Sequence, residues 1–112
     1  MNRKSLGDLE LLVLLAALRL GEDEAYAVSI AAEIRDRTGR SVQRATIYVT
    51  LQRLEHKGLV TTHLSDPIEK RGGKPRRMVR VESRGRAAVL DTQQAFEKMW
   101  SGLELAGQEP RS

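Results

Sequence analysis

The chain has 112 residues, a formal net charge of +4 and no cysteine. A chain of this length builds one domain, and the lack of cysteine excludes disulfides, a thiolate nucleophile and thiolate metal ligands. The longest apolar run, residues 11–18, is shorter than the roughly 20 residues that a membrane-spanning helix needs. No signal peptide is recognisable at the start, so we expect a cytoplasmic protein with no membrane partner.

The first predicted helix covers residues 6–20 and is apolar around most of its circumference. Asp8 lies near its start, where an acidic side chain can cap free amides or interact favourably with the helix dipole. A helix that is apolar on all sides has to be covered on all sides. Because one small domain has little with which to cover it, we expect part of this helix, including Leu12 and Leu15, to pack against a second subunit.

A second helix is predicted over residues 26–38, where apolar residues recur every three or four positions and Gly39 supplies a stop. Ser41 is expected to cap the third helix, because a hydroxyl before a helix accepts hydrogen bonds from its free amides. Two short helices joined by a tight turn with glycine, the second of them basic, are typical of a helix-turn-helix.

The third helix has a predicted buried stripe at Ile47, Leu51 and Leu54 and ends at Gly58. Its opposite side is predicted to carry hydrogen-bond donors: Arg44, Thr46, Thr50, Arg53 and Lys57. A donor-rich helix of this size fits the major groove of DNA. Taken alone, the segment is also compatible with an ordinary solvated amphipathic helix.

Two strands, residues 59–65 and 78–81, are predicted on either side of a loop that holds two glycines and two prolines. Residues 70–90 contain eight basic side chains against one acidic side chain, a local charge of +7. Such a concentration of charge indicates contact with a polyanion. A helix-turn-helix followed by a basic hairpin predicts a winged helix, a mainly α fold with one small β-hairpin.

The last predicted helix begins at Ser83 and continues to about residue 105, and a disordered tail is expected over residues 107–112. A heptad-like seam of apolar and small residues runs along this helix: Val89, Thr92, Phe96, Met99, Trp100, Leu103 and Ala106. We interpret the seam as an intersubunit contact, and the alternative is that this face packs on its own domain. The predicted division is a winged helix-turn-helix domain over residues 6–82 and a C-terminal dimerisation helix over residues 83–106.

Four short motifs together carry a family resemblance: LGDLE at residues 6–10, ATIYVTLQRLEHKGLV at 45–60, GKPRR at 73–77 and ESRG at 82–85. With these motifs the sequence resembles the PadR family of bacterial winged-helix transcription regulators, in its short form with one C-terminal helix. The sequence departs from the family pattern at Ala45 and Val49, where glycine and proline are more common. The resemblance implies a homodimer that binds a pseudo-palindromic operator in double-stranded DNA and acts as a repressor.

Candidate base-reading residues lie near the start of the third helix, since that end of a recognition helix contacts base edges. Gln43, Arg44 and Thr46 are these candidates, and for Arg44 the alternatives are a phosphate contact or a solvated side chain. Ser41, just before them, is included in the predicted DNA-binding surface.

Further DNA contacts are expected from the rest of this helix and from the wing. The ring of Tyr48 is expected to pack while its hydroxyl reaches a phosphate, with plain core packing as the alternative. Arg53 is either a clamp on the DNA backbone or an intramolecular partner of a group in the neighbourhood of Glu55. Basic wing residues are expected on phosphates or in the minor groove, with a merely solvated charge run as the alternative: Lys70, Arg71, Lys74, Arg76 and Arg77.

Trp100 is the single tryptophan, and with Phe96 and Met99 it offers an apolar surface on the last helix. One interpretation is that these side chains fill the dimer seam. The other, implied by the resemblance, is that they line a cavity for a small, flat aromatic effector, which would stack on the tryptophan ring.

Catalysis has little support in this sequence. His56 and His63 have no third ligand at a recognisable spacing, and Gly72-Gly73 does not lie between a strand and a helix. We therefore expect no enzyme activity, no metal and no cofactor. The alternatives to a sequence-specific regulator are a winged-helix module for an acidic protein partner and a non-specific DNA- or RNA-binding protein.

Overall fold

The computed structural model describes residues 6–65 and 75–105, which form four helices and one antiparallel hairpin. In chain order the elements are α1 (Asp8–Leu20), α2 (Ala27–Thr38), α3 (Arg44–His56), β1 (Val60–Leu64), β2 (Arg77–Val81) and α4 (Ser83–Trp100). The predicted mainly α winged helix is therefore confirmed. None of these helices is both long and apolar enough to cross a membrane.

One apolar core joins α1, α2, α3 and the hairpin. Its largest fully buried side chains come from all of these elements: Val13, Leu14, Ile30, Ile47, Leu54, Val60 and Val79. The predicted stripe of α3 is confirmed, since Ile47 and Leu54 are 0% exposed and Leu51 is 4% exposed. Burial of this stripe fixes which side of α3 is left for a partner.

Helix α3 ends where the sequence predicted. Gly58 adopts a φ of 78°, and its amide donates to the Glu55 carbonyl at 3.0 Å while the Leu59 amide donates to the Leu54 carbonyl at 2.9 Å. These two bonds form a Schellman motif, which needs a left-handed residue and so favours glycine. Leu54 and Leu59 are both buried, so the motif turns the chain directly from the core side of α3 into β1.

The predicted cap at the start of α3 is wrong. The N-cap is Gln43, with extended backbone and no capping side-chain bond, rather than Ser41. Val42, just before it, packs against the core cluster that contains Ile47. These are the two positions of a hydrophobic staple, so apolar anchoring of the linker, not a hydroxyl, determines where the helix begins.

The hairpin is attached to the helices at its base. Val60 pairs with Val81 and Leu64 with Arg77 across the two strands. The amide of Val79 donates to the carbonyl of Ala25 at 2.9 Å, so the outer edge of β2 bonds to the segment between α1 and α2. The position of the wing is thus tied to the start of α2.

Only the first part of α4 packs on the winged unit. A Cβ at Gly85 would lie 2.4 Å from the Leu59 carbonyl oxygen, so only glycine allows this approach. The predicted end at about residue 105 is wrong, because Ser101 leaves helical geometry and Gly102 has a φ of 83°. Leu103 lies outside the helix, so the predicted heptad-like seam is shorter than expected.

Candidate nucleic-acid interface

The outward side of α3 is built from residues opposite its buried stripe. Successive residues on an α-helix are about 100° apart, so Ala45, Val49, Gln52 and His56 lie farthest from Ile47, Leu51 and Leu54. All four are exposed, and Tyr48 and Arg53 flank them and are exposed as well. The first turn adds Gln43, Arg44 and Thr46, which are also exposed, as is Ser41 before it. The predicted base readers therefore all reach solvent.

The predicted single face of donors is wrong in two positions. Thr50 is 3% exposed, and its hydroxyl donates to the Thr46 carbonyl at 2.8 Å. Lys57 turns toward α1, where its Nζ contacts both carboxylate oxygens of Glu10 at 2.9 and 3.0 Å. Both side chains lie between the stripe and the outward side, where a donor is satisfied within the protein.

Glu10 joins the start of α1 to the end of α3. Its carboxylate accepts the Gly7 amide at 2.8 Å as well as Lys57, and the residue is only 7% exposed. Burial raises the pKa of Glu10, but the Gly7 amide, Lys57 and the nearby Arg53 outweigh this effect and leave the pKa below its ordinary value. The charged pair is therefore a fixed connection that holds the recognition helix against α1.

The cations around α2 are paired with carboxylates. Arg35 lies 3.2 Å from Asp36, and Arg37 lies 2.6 Å from Glu33. In the following turn, Arg40 binds the exposed Asp8 in the first turn of α1. Asp8 was also a predicted cap of α1, but Gly7 occupies the N-cap position.

The arginines of α3 differ from those of α2. Among the described residues, Arg44 has no side-chain hydrogen bond or ion pair. Arg53 has no carboxylate within ion-pair distance in the same part of the structure, although it is close enough to lower the pKa of Glu10. Glu55, the acid of α3, instead accepts the Thr62 hydroxyl of β1 at 3.2 Å. Positive charge is therefore available on α3 and not on α2.

Two predicted side chains of α3 can now be placed. Tyr48 is 44% exposed, so plain core packing, the alternative for this ring, is wrong. Arg53 lies beside an open groove of about 520 Å³ between the start of α1 and α3, together with Val49. The partner suggested for Arg53 near Glu55 is not the group that it approaches, which is Glu10.

Among the wing residues, Lys70, Arg71 and Lys74 lie outside the described residues. Arg77 is exposed and donates to the Thr62 hydroxyl at 3.1 Å. The guanidinium carbon of Arg76 lies 4.1 Å from the centroid of the Tyr26 ring, a cation–π contact at the start of α2. Both arginines thus have a partner within the protein: Arg76 stacks on an aromatic ring, and the exposed Arg77 bonds a neutral hydroxyl.

The residues predicted for a dimer or effector site fall into two groups. Leu12 and Val89 are half-buried against the core of their own chain. Five others are exposed apolar side chains of α1, α4 and the segment after α4: Leu15, Phe96, Met99, Trp100 and Leu103. The rings of Phe96 and Trp100 lie 6.3 Å apart, so the second group contains a small aromatic cluster.

Three features of the site were missed from the sequence. Gln52 and His56 are exposed on the outward side of α3, and their positions opposite the buried stripe were a readable signal. The Glu10–Lys57 pair spans 47 residues, and no local pattern predicts it.

No group of described residues could hold a metal ion, and His56 and His63 do not form one.

A helix-turn-helix, a basic hairpin and an outward helix face with available cations define a winged-helix DNA-binding protein. The chain matches the Transcriptional regulator PadR-like family over residues 14–91, and it belongs to that family. It is therefore a DNA-binding transcription regulator by family, as the sequence resemblance predicted.

The chain is also similar to a protein of known sequence and to solved structures. An uncharacterised protein of Lysinibacillus sphaericus is 36% identical over 86 residues, which cover 75% of this chain and 76% of that protein. A PadR-like transcription factor from Bacteroides fragilis has a similar fold, with a TM-score of 0.69 and 23% identity over 87% of this chain and 85% of that chain. A PadR family regulator from Clostridium difficile R20291 has a TM-score of 0.67 and 22% identity over 83% of this chain and 91% of that chain.

Proposed function

We propose that the chain is a homodimeric, sequence-specific repressor that binds a pseudo-palindromic operator through α3. The observation that carries this proposal is the exposed Arg44, which begins α3 and has no side-chain hydrogen bond or ion pair among the described residues. A guanidinium in this position can bond a guanine edge bidentately. The paired arginines of α2 cannot do so without first losing a carboxylate. A cytoplasmic location is part of the same proposal.

The division of contacts follows the geometry of the exposed side chains. Gln43, Arg44 and Thr46 are proposed to read bases, with Ser41 beside them at the backbone. Tyr48 and Arg53 are proposed to reach phosphates from the flanks of α3. Arg77 is the described wing residue best placed for a phosphate. Further phosphate contacts are proposed for Lys70, Arg71 and Lys74. Arg76 would have to leave the Tyr26 ring before it could contact a phosphate.

The proposed dimer rests on the exposed apolar surface of α1 and α4. Met99 is 79% exposed and Phe96 is 55% exposed, and a single domain leaves neither of them covered in its described part. A two-fold dimer would place two copies of α3 about one helical turn of DNA apart. Sedimentation should give a dimer for the intact protein, and Phe96→Ala combined with Met99→Ala should shift it toward monomer.

A small aromatic effector is proposed at the Phe96–Trp100 cluster. A flat ligand bound between two copies of this cluster would change the spacing of the two α3 helices, and so would bind the two dimer states with different affinity. Trp100 fluorescence, titrated with a panel of flat aromatic compounds, tests this. A flat response across the panel would leave these rings with a packing role in the dimer.

The experiment that tests the proposed function is a gel shift with the DNA upstream of the protein's own gene, at two salt concentrations and with random competitor. Retention that survives competitor supports the repressor. Salt-sensitive binding without sequence preference would identify a non-specific nucleic-acid binder, because counterion release alone gives that behaviour. Absence of DNA binding would leave a protein-interaction module as the remaining function.

A further inference from the structure

Four outward residues of α3 have the spacing of a base-reading helix face. Ala45, Tyr48, Val49 and Gln52 stand at positions i, i+3, i+4 and i+7, and all are exposed. The same spacing is used by the homeodomain recognition helix to read bases in the major groove. The first three of these side chains are largely apolar, which sets this strip apart from the arginines on either side of it.

Val49 is the residue of this strip that needs an explanation. It is 48% exposed beside Arg53, where it also lines the open groove between the start of α1 and α3, and an aliphatic side chain neither neutralises a phosphate nor donates a hydrogen bond. The major-groove edge of a base pair offers one apolar group, the C5-methyl of thymine. A valine that faces the groove is therefore complementary to thymine and to no other base.

Gln52 follows on the next turn of the same side. Three residues on a helix correspond to about 4.5 Å along its axis, and base pairs are spaced by about 3.4 Å. For a helix that lies along the major groove, the two side chains are thus far enough apart to contact neighbouring base pairs. Glutamine pairs bidentately with the N6 and N7 atoms of adenine.

We infer that Val49 and Gln52 are specificity-determining residues that select adjacent A·T pairs, Val49 through a thymine methyl and Gln52 through adenine. The inference rests on the proposed DNA-binding function and adds to the readers at the start of α3. It also gives the operator a chemical property: each half-site contains at least two neighbouring A·T pairs facing the middle of α3.

The test begins with selection of binding sites from random duplexes by the intact protein. Each thymine of the selected half-site is then replaced by uracil, which removes only the methyl group. We expect one position at which wild-type Kd rises about fourfold for each half-site, the value for one lost buried methyl-sized group. For Val49→Ala the thymine and uracil duplexes should bind alike, so the ratio of their Kd values falls to about one.

Val28→Ala is the matched control, because Val28 is 44% exposed on α2 and should leave the uracil effect unchanged. Both valines are exposed, and equal thermal melts of the two variants show that each folds. If no thymine position is sensitive to its methyl, or if Val49→Ala remains as sensitive as wild type, Val49 is not a thymine reader. An equal loss by Val49→Ala on both duplexes would instead assign Val49 a packing role.

Gln52 is tested with 7-deazaadenine, which lacks the N7 acceptor. Wild type should lose about two- to tenfold in affinity at one adenine next to the sensitive thymine. Gln52→Ala should be indifferent to this replacement, whereas Gln93→Ala on α4 should respond as wild type does. Sensitivity that persists in Gln52→Ala contradicts the assignment of this residue.

The two levels of the proposal fail differently. If the selection enriches no sequence, the repressor proposal fails and the inference about Val49 and Gln52 fails with it. If a sequence is enriched but methyl and N7 removal have no effect at any position, the repressor proposal stands and the inference alone is wrong.

Discussion

Helices α2 and α3 are nearly equal in length, with 12 and 13 residues, and each buries one apolar stripe and ends before a glycine of positive φ. They differ in what their arginines contact. Arg35 and Arg37 of α2 lie against Asp36 and Glu33, whereas Arg44 of α3 has no such partner among the described residues.

The difference shows that formal charge alone does not locate a nucleic-acid interface. A paired guanidinium has to give up its carboxylate before it can neutralise a phosphate, and the lost pair offsets part of what the phosphate contributes. An unpaired guanidinium on an exposed helix start has no such cost. Availability, which depends on neighbours in the fold, is therefore the property that distinguishes α3 from α2.

The largest effects should be alike in the two helices, because their buried sides are alike. Leu54→Ala in α3 and Ile34→Ala in α2 should each lower the free energy of unfolding by about 2–5 kcal/mol, since the two side chains are 0% and 3% exposed. Urea unfolding measures both, and Leu54→Met, which nearly conserves volume, should cost less than about 1.5 kcal/mol. A cost near zero for either alanine variant would contradict the packing of that helix.

Substitutions on the exposed sides of the two helices should differ in their effect on DNA binding. Arg44→Ala should weaken operator binding by about 1–3 kcal/mol and random DNA binding by less, so discrimination falls. The matched variant Arg37→Ala on α2 should change Kd little, and equally for both DNAs. Titration of operator and random duplex at one salt concentration measures the change in Kd of each variant on each DNA. Equal losses of Arg44→Ala on both DNAs would make Arg44 a phosphate contact and not a base reader.

The sequence predicts those differences between α2 and α3 that depend on neighbouring residues, and it does not predict those that depend on contacts between distant residues. The stripe of α3 and the stops at Gly39 and Gly58 are local signals of period and backbone conformation, and they are confirmed. The Glu10–Lys57 pair joins residues far apart in the sequence, so a lysine counted as a donor for DNA is in fact held by α1.

Arg76 shows the same limitation in the wing. Its position in a basic run predicted a phosphate contact, but its guanidinium stacks on Tyr26, which stands far from it in the chain. Val49 and Gln52 are different, because a rotation of half a turn from Ile47, Leu51 and Leu54 would have found them. Collecting donors instead of following the helix period included Thr50 and Lys57, which have partners within the protein, and left out Gln52.

Glu10 provides a way to loosen α3 without touching its DNA-facing side. Glu10→Gln keeps the bond from the Gly7 amide but removes the charge that faces Lys57, so it should cost about 1–2 kcal/mol of stability near neutral pH. Because folding lowers the pKa of Glu10, its contribution is present above the ordinary value of 4.5 and is lost as the pH falls through the lower folded pKa.

The stability difference between wild type and Glu10→Gln should therefore shrink on acidification through this range, as measured by urea unfolding at several pH values. Asp8→Asn is the control at neutral pH, since its exposed pair with Arg40 should contribute less than about 1 kcal/mol. A difference that is constant from neutral to acidic pH would show that the Glu10 charge does not support the fold.

The variant with the smallest expected effect on stability tests whether ion pairing keeps the arginines of α2 from binding DNA. Glu33→Gln removes the carboxylate bound to Arg37 and should cost only about 0.3–0.5 kcal/mol in unfolding free energy, as expected for an exposed pair one turn apart.

The effect of Glu33→Gln on DNA binding should be larger than its effect on stability. The first helix of a helix-turn-helix crosses the DNA backbone, so a freed Arg37 should tighten binding to random duplex and steepen the salt dependence by up to about 0.9 in the log–log slope for each bound subunit. Glu33→Ala combined with Arg37→Ala lacks both groups and should show no such steepening. If Glu33→Gln leaves the slope unchanged as well, α2 faces away from the backbone, and orientation rather than pairing separates the two helices.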